Sequence, residues 1–215
     1  MGNFFSDNRD LVFTLENLDL AEVVSMVENN YQFAKEYENA PGDFADALDN
    51  YRRVLDVVGN ICADRIEPRA RTVDAEGPEF ENGKVTYPPL TAMNLKDLND
   101  AGLMGVMLGH KYGGLNFPVS IYTMMTEMVS RADASLQNIF GLQDIAETIN
   151  FFGNDEQKAK YLPGFASGEY DGAMDLTEPD AGSDLQRVML KATYDEENQC
   201  WRLNGVKRFI TNGDS

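Results

Sequence analysis

Apolar residues recur at steps of three and four up to about residue 165 and shift to a shorter period after about residue 170. Leu20, Val23, Val24, Val27 and Tyr31 fall at helical spacing within residues 1–42. That segment reads as an N-terminal extension, punctuated by Pro41-Gly42. Asp43 then offers an N-cap to a helix striped by Phe44, Leu48, Tyr51, Leu55, Val58 and Cys62. The stripe suits one face of a helical bundle. A coiled coil with a partner helix is the alternative. Pro68 is expected to end this helix, since it lacks an N–H and crowds the preceding turn. Residues 72–90 read as loop, with Asn82-Gly83 able to close a small hairpin. Thr91 is expected to cap a helix that carries Leu95 and Leu98 and ends near Gly102.

The next stretch, His110-Lys111-Tyr112-Gly113-Gly114-Leu115, reads as a loop with His110 in solvent. Pro118 stands where helices begin, followed by an apolar face of Ile121, Met124, Met125, Met128 and Val129. A Met-rich stripe is more often core than ligand pocket. Asp133 is expected to cap another helix, with Leu136, Ile139, Phe140 and Ile149 in the core and Gly153 at its end. Asn154 and Gln157 form a variant of the capping box, opening a short helix that Pro163 is expected to end.

Near residue 170 the pattern becomes strand-like. Residues 172–176, 188–194, 200–203 and 206–211 read as strands, with a turn at 195–199 and a joint at Asn204-Gly205. The expected division is an extension over 1–42, a helical domain over 43–167 and a β domain over 168–215. The fold class is α+β, mainly α: an all-helical N-terminal domain followed by the first antiparallel strands of a β domain. Such strands leave an unpaired edge, so the chain is expected to be the front part of a longer polypeptide.

Composition narrows the function. Lys and Arg number 18 against 36 Asp and Glu, a formal charge of -18. A nucleic-acid binder needs the opposite balance, to displace phosphate counterions. No apolar run approaches the ~20 residues of a membrane span. No basic stretch followed by an apolar one marks a secretory signal at the start. Cys62 and Cys200 lie far apart and suggest neither a disulfide framework nor a metal site, and His110 is the single histidine. A reducing compartment, the cytoplasm, is the expected location.

One loop carries candidate chemistry: Leu176-Thr177-Glu178-Pro179-Asp180-Ala181-Gly182-Ser183-Asp184. Pro179 fixes its φ, and Gly182 permits close approach to the backbone. Ser183 and Asp184 favour side-chain bonds to backbone. Exposed N–H groups here could hold an anion such as a phosphate. An ordinary polar turn is the competing reading.

The ordered set of motifs decides between them. Tyr112-Gly113-Gly114-Leu115, Arg131-Ala132-Asp133-Ala134-Ser135, Gly153-Asn154-Asp155-Glu156-Gln157-Lys158, Tyr161-Leu162-Pro163, the 176–184 loop, Leu203-Asn204-Gly205 and Phe209-Ile210-Thr211-Asn212-Gly213 occur in succession. Together they resemble the flavin-dependent acyl-CoA dehydrogenase family, from about residue 45 onward. The extension looks like that of the larger bacterial members. The resemblance implies a helical N-terminal domain, a β-barrel middle domain and a C-terminal four-helix bundle. It implies α,β-dehydrogenation of an acyl-CoA thioester, with FAD as the acceptor of the β-hydride. It implies an electron-transfer flavoprotein as partner, and a homo-oligomer.

By the same resemblance, Met174, Leu176 and Thr177 would run along the flavin ring, with Thr177 near N5. Gly182 and Ser183 would approach the pyrophosphate, and Ser183 would also touch the substrate. Phe209, Ile210 and Thr211 would complete the seat, Phe209 stacking where the family often has Trp and Thr211 donating near N5. The sequence departs from the family's pattern at Met174, at Asp175 and at Arg187, where other residue types are usual. Glu178 reads as a residue that orders the loop. The family's catalytic glutamate lies in the C-terminal bundle, so no catalytic residue is assigned in this chain, and no metal is expected. An acyl-CoA oxidase or a related flavin monooxygenase of the same fold remains an alternative. A non-catalytic helical interaction module built on the 44–62 stripe is another.

Overall fold

The computed structural model describes residues 2–214; residues 1 and 215, the ends of the first and last expected segments, lie outside the described residues. Contacts divide the chain into two units, one running to Gly172 and one from Ala173.

The first unit is helical. Helices α1 (Arg9–Asn17) and α2 (Ala21–Val27) precede the long α3 (Phe44–Ile61). Asp43 caps α3 by accepting from the Asp46 N–H, as its position predicts. The α3 stripe faces inward: Tyr51, Leu55, Val58 and Cys62 are buried, and Phe44 and Leu48 pack against them. That stripe is covered within this unit, so it does not await a partner helix. Residues 2–42 join the same core through Phe5, Leu11, Leu15, Leu20 and Val24. Asn3 tacks the segment to α3, its side-chain N–H donating to the Asp56 carbonyl and carboxylate at 2.9 Å each. The approach is close enough that a Cβ on Gly59 would meet Asn3 Oδ1 at 2.1 Å and the Phe5 nitrogen at 2.7 Å.

Pro68 does not end the helix. The chain widens to a π turn over Cys62–Ile66, where the Glu67 N–H donates to the Cys62 carbonyl. The wider turn relieves the clash that Pro68 would make with the carbonyl four residues earlier, and α4 (Glu67–Glu76) resumes with Pro68 in its first turn. The hairpin expected at Asn82-Gly83 is present: β1 (Glu79–Glu81) pairs with β2 (Lys84–Thr86), and both turn residues have positive φ, 53° and 80°. Thr91 does not cap α5 (Pro89–Asp100). Pro88 holds the cap and Pro89 the first helical position, which needs no N–H, so Thr91 lies buried in the first turn.

His110 is also not in solvent. It is 7% exposed, its Nε2 lies 3.0 Å from Glu28 Oε2, and its ring stacks on Tyr37 at 5.5 Å. The extension supplies both partners, which local sequence around His110 does not reveal. After it come α6 (Val119–Ala132), whose methionines are buried, and α7 (Ala134–Phe140), capped by Asp133. Next are α8 (Ile145–Phe152), closed by Gly153, and α9 (Asp155–Ala166). The Asn154–Gln157 capping box is complete in both directions. Pro163 lies inside α9 and does not end it, because Leu162, Gly164 and Phe165 are buried and hold the last turn in place. Ile149 is half-buried against a small second cluster of Leu108, Ala146, Leu162 and Phe165.

Among its described residues the second unit holds one hairpin. β3 (Lys191–Asp195) pairs antiparallel with β4 (Cys200–Asn204), Lys191 opposite Asn204 and Tyr194 opposite Trp201. The turn between them falls where the sequence places it. Residues 172–176 and 206–211, both expected as strands, form no ladder with any described residue. The backbone bond between their neighbourhoods, Arg208 N–H to the Thr177 carbonyl at 2.9 Å, is made just past the first segment, and Phe209 interrupts the second with a positive φ of 60°. A strand needs a row of such bonds, and these segments lack the partners to make one. Gly205 therefore does not turn into a third strand. It backs onto Leu190, where a Cβ would meet the Leu190 Cα at 2.8 Å.

Candidate functional site

The 176–184 loop is built around Glu178. Its N–H donates to the Ala181 carbonyl and its carbonyl accepts from the Ala181 N–H, so Pro179 and Asp180 occupy the tip of a tight turn. Pro179 has no N–H to leave unpaired there. The Glu178 side chain points back into the loop and is 6% exposed. Its oxygens accept from the Met189 N–H at 2.5 Å, the Leu190 N–H at 2.9 Å and Lys207 Nζ at 3.0 Å. The two backbone donors, then Lys207, hold its carboxyl below the ordinary glutamate range. Glu178 therefore orders the loop rather than facing a ligand.

Lys207 is the residue that sequence reasoning missed. Its Nζ also donates to the Leu176 carbonyl at 2.9 Å, so one cation holds the loop at two points. The sequence offered little signal: Lys207 stands beside Arg208, 29 residues beyond the only buried acid of this unit's described residues.

This clamp brings the two halves of the expected seat together. Thr177 accepts the Arg208 N–H, which sets Leu176 and Thr177 beside Lys207 and Arg208. Gly182 lies across from Thr177: a Cβ there would meet only Thr177 Cγ2, at 4.0 Å. Ser183, Thr211 and Gly182 are exposed, and Thr177 and Ile210 are half-buried. Met174 and Leu176 are each nearly half exposed, and the Leu176 N–H donates to the Met174 carbonyl. Phe209 is 78% exposed, with φ +60° and the Arg208 guanidinium 4.4 Å over its ring. The loop thus offers an open edge of backbone, hydroxyls and one aromatic face.

Models of two domains match the chain: acyl-CoA dehydrogenase, N-terminal domain, over residues 49–169, and acyl-CoA dehydrogenase, middle domain, over residues 173–215. The chain belongs to the acyl-CoA dehydrogenase family. The 3-methylmercaptopropionyl-CoA dehydrogenase of Ruegeria pomeroyi is 32% identical over 211 residues, covering 96% of this chain and 33% of that protein. Among solved structures, an acyl-CoA dehydrogenase from Bacillus anthracis complexed with FAD is 29% identical with a TM-score of 0.65, covering 76% of this chain and 27% of that one. A chain from the structure of the electron transferring flavoprotein of Acidaminococcus fermentans is 27% identical with a TM-score of 0.64, covering 76% and 40%. The chain spans about a third of the length of the curated relatives it matches.

The boundary between the two matched domains coincides with the boundary between the two units, and the Glu178 clamp lies just inside the middle domain. Among the described residues of this family member, no helix is long and apolar enough to cross a membrane, and no group of His, Cys, Asp and Glu could hold a metal ion.

Proposed function

We propose that the chain is the N-terminal part of an FAD-dependent acyl-CoA dehydrogenase that removes hydrogen across the α,β bond of an acyl-CoA thioester. The observation that carries this reading is the Glu178–Lys207 clamp. It holds the Leu176–Thr177 backbone beside the segment leading to Phe209, in a chain that belongs to this family. The residues present fit the cofactor: open backbone at Gly182, exposed hydroxyls, and an aromatic face. FAD supplies the electron sink that side chains lack.

In this reading Met174, Leu176 and Thr177 line one side of the ring. Gly182 and Ser183 approach the pyrophosphate, with Ser183 shared with the acyl-CoA. Phe209, Ile210 and Thr211 close the other side. The chain's residues bind and orient, and no described residue takes the role of catalytic base. Loaded protein is proposed to act in the cytoplasm as a homo-oligomer and to pass electrons to an electron-transfer flavoprotein. The likeness to a chain from an electron transferring flavoprotein structure supports that partner.

The full-length polypeptide is expected to purify yellow and to bleach on addition of an acyl-CoA. A folded, colourless full-length protein overturns the reading. In that protein Thr177→Ala is expected to lower retained flavin severalfold, by loss of one hydrogen bond. The 215-residue chain alone is expected to bind FAD more weakly than micromolar, as titration of flavin fluorescence will report.

A further inference from the structure

A cleft of about 380 Å³ opens in the helical unit between residues 38–41 and α3. Its apolar wall includes Leu115 and Phe117, and its polar wall includes Glu28, Glu38, Asp46 and Tyr51. The extension and α3 build it jointly, with Leu115 and Phe117. We propose that this cleft binds a small organic cation of the alkylammonium class.

The first observation is Tyr51. It is 1% exposed, its ring packs edge-on against Phe117 at 4.7 Å, and its hydroxyl has no hydrogen-bond partner among the described residues. A buried hydroxyl without a partner is unfavourable, and a ligand that supplies one gains by doing so. Tyr51 and Glu28 both line the cleft; burial raises the phenol's pKa first, and the Glu28 charge raises it further. Tyr51 therefore stays protonated and offers both a donor and acceptor lone pairs.

The second observation is the charge of the wall. Glu28, Glu38 and Asp46 contribute three carboxyl groups. The lone guanidinium on the wall, Arg53, is already engaged by Asp49 one turn away on α3. Glu28 is pinned by His110 on one oxygen and by Asn116, 3.0 Å away, on the other, so its position is fixed. Each of those oxygens keeps acceptor capacity. The acids do not converge into a group that could hold a metal ion among the described residues. A bare inorganic ion would also leave the apolar wall unused. An ammonium head with a short alkyl tail uses both: donors for the Tyr51 oxygen and for a carboxylate of the wall, long-range attraction from the remaining acids, and methylenes for Leu115 and Phe117.

The test is isothermal titration calorimetry of the 215-residue chain with n-butylammonium chloride at constant ionic strength. n-Butanol and sodium butyrate serve as the neutral and anionic isosteres. Saturable one-site binding of the ammonium is expected, at least about tenfold tighter than butanol, with butyrate weakest. Tyr51→Phe is expected to weaken binding about fivefold with unchanged far-UV circular dichroism. Glu38→Gln, at an exposed position that does not support the fold, is expected to weaken it about threefold. The proposal is overturned if the ammonium fails to saturate, if butanol binds as well as the ammonium, or if Glu38→Gln leaves the affinity unchanged. Should Tyr51→Phe fail to fold, the isosteres and Glu38→Gln decide alone.

Discussion

The two units are held by different forces. In the helical unit, Tyr51, Leu55, Leu98, Met125, Leu136 and Phe140 are buried in one core, and hydrophobic burial sets the structure. In the unit from Ala173, Met189, Trp201, Leu203, Val206 and Phe209 are all more than 60% exposed. There a single carboxylate, Glu178, with its three donors, fixes the loop. The difference shows what each unit's sequence is for. One stretch is written to pack, and the other is written to present backbone and side chains to something else.

Core truncation separates the units most sharply. Leu55→Ala removes a fully buried side chain and is expected to cost about 3 kcal/mol of helical-unit stability. Leu203→Ala, at 68% exposure, is expected to change stability by less than about 0.5 kcal/mol. Urea unfolding followed by far-UV circular dichroism reports the first. The single tryptophan, Trp201 in β4, reports the second by fluorescence. Equal costs at the two positions would break the comparison.

Gly59→Val asks whether the first residues truly belong to the core. Its side chain must displace Asn3 and the Phe5 backbone, so about 1–3 kcal/mol is expected to be lost. Amide exchange at Phe4, whose N–H donates to the Gly59 carbonyl, is expected to speed in the same variant. An unchanged exchange rate would show that the segment is an appendage after all.

Much of the helical unit was legible because its signals are local. Asp43, Asp133 and the Asn154–Gln157 box each bond within three residues, so their spacing alone reveals them. Asn82-Gly83 is read the same way. What the sequence hides is set at long range. His110 is buried by Glu28, 82 residues earlier. Pro68 is tolerated because a π turn absorbs it, and Pro163 because the core holds α9 past it. At the candidate site the motif order gave the family, and Glu178 read correctly as the residue that orders the loop. Lys207 escaped because a loop clamp has no period. The strands expected at 172–176 and 206–211 failed for a related reason: alternation marks what can pair, and pairing needs a partner.

Glu178→Ala tests the clamp itself. It leaves the Met189 and Leu190 N–H groups and Lys207 without their shared acceptor. Amide exchange at both residues is expected to speed by roughly tenfold, with circular dichroism of the helices unchanged. A change confined to the helical unit would be the wrong result.

The smallest effects, and the finest test of the contrast, come from pH. Hydrogen bonds hold Glu178 below its ordinary value of 4.5 in the folded state. Between the folded and unfolded values the unfolded chain binds more protons, so the stability Glu178 contributes is complete above the unfolded value. It is lost as pH falls through the folded one. In the helical unit the sign reverses. Burial pushes Asp144 and Glu147 up from their ordinary values of 3.8 and 4.5, so the folded state binds more protons. Their contribution is complete at low pH and is lost as pH rises through the folded values. Asp144→Asn and Glu147→Gln are therefore expected to flatten a decline in helical-unit stability on the neutral side of those ordinary values. Glu178→Gln is expected to flatten a decline at the acid end, seen by Trp201 fluorescence. If both probes shift in the same direction with pH, the two units do not differ in the way their carboxylates are held.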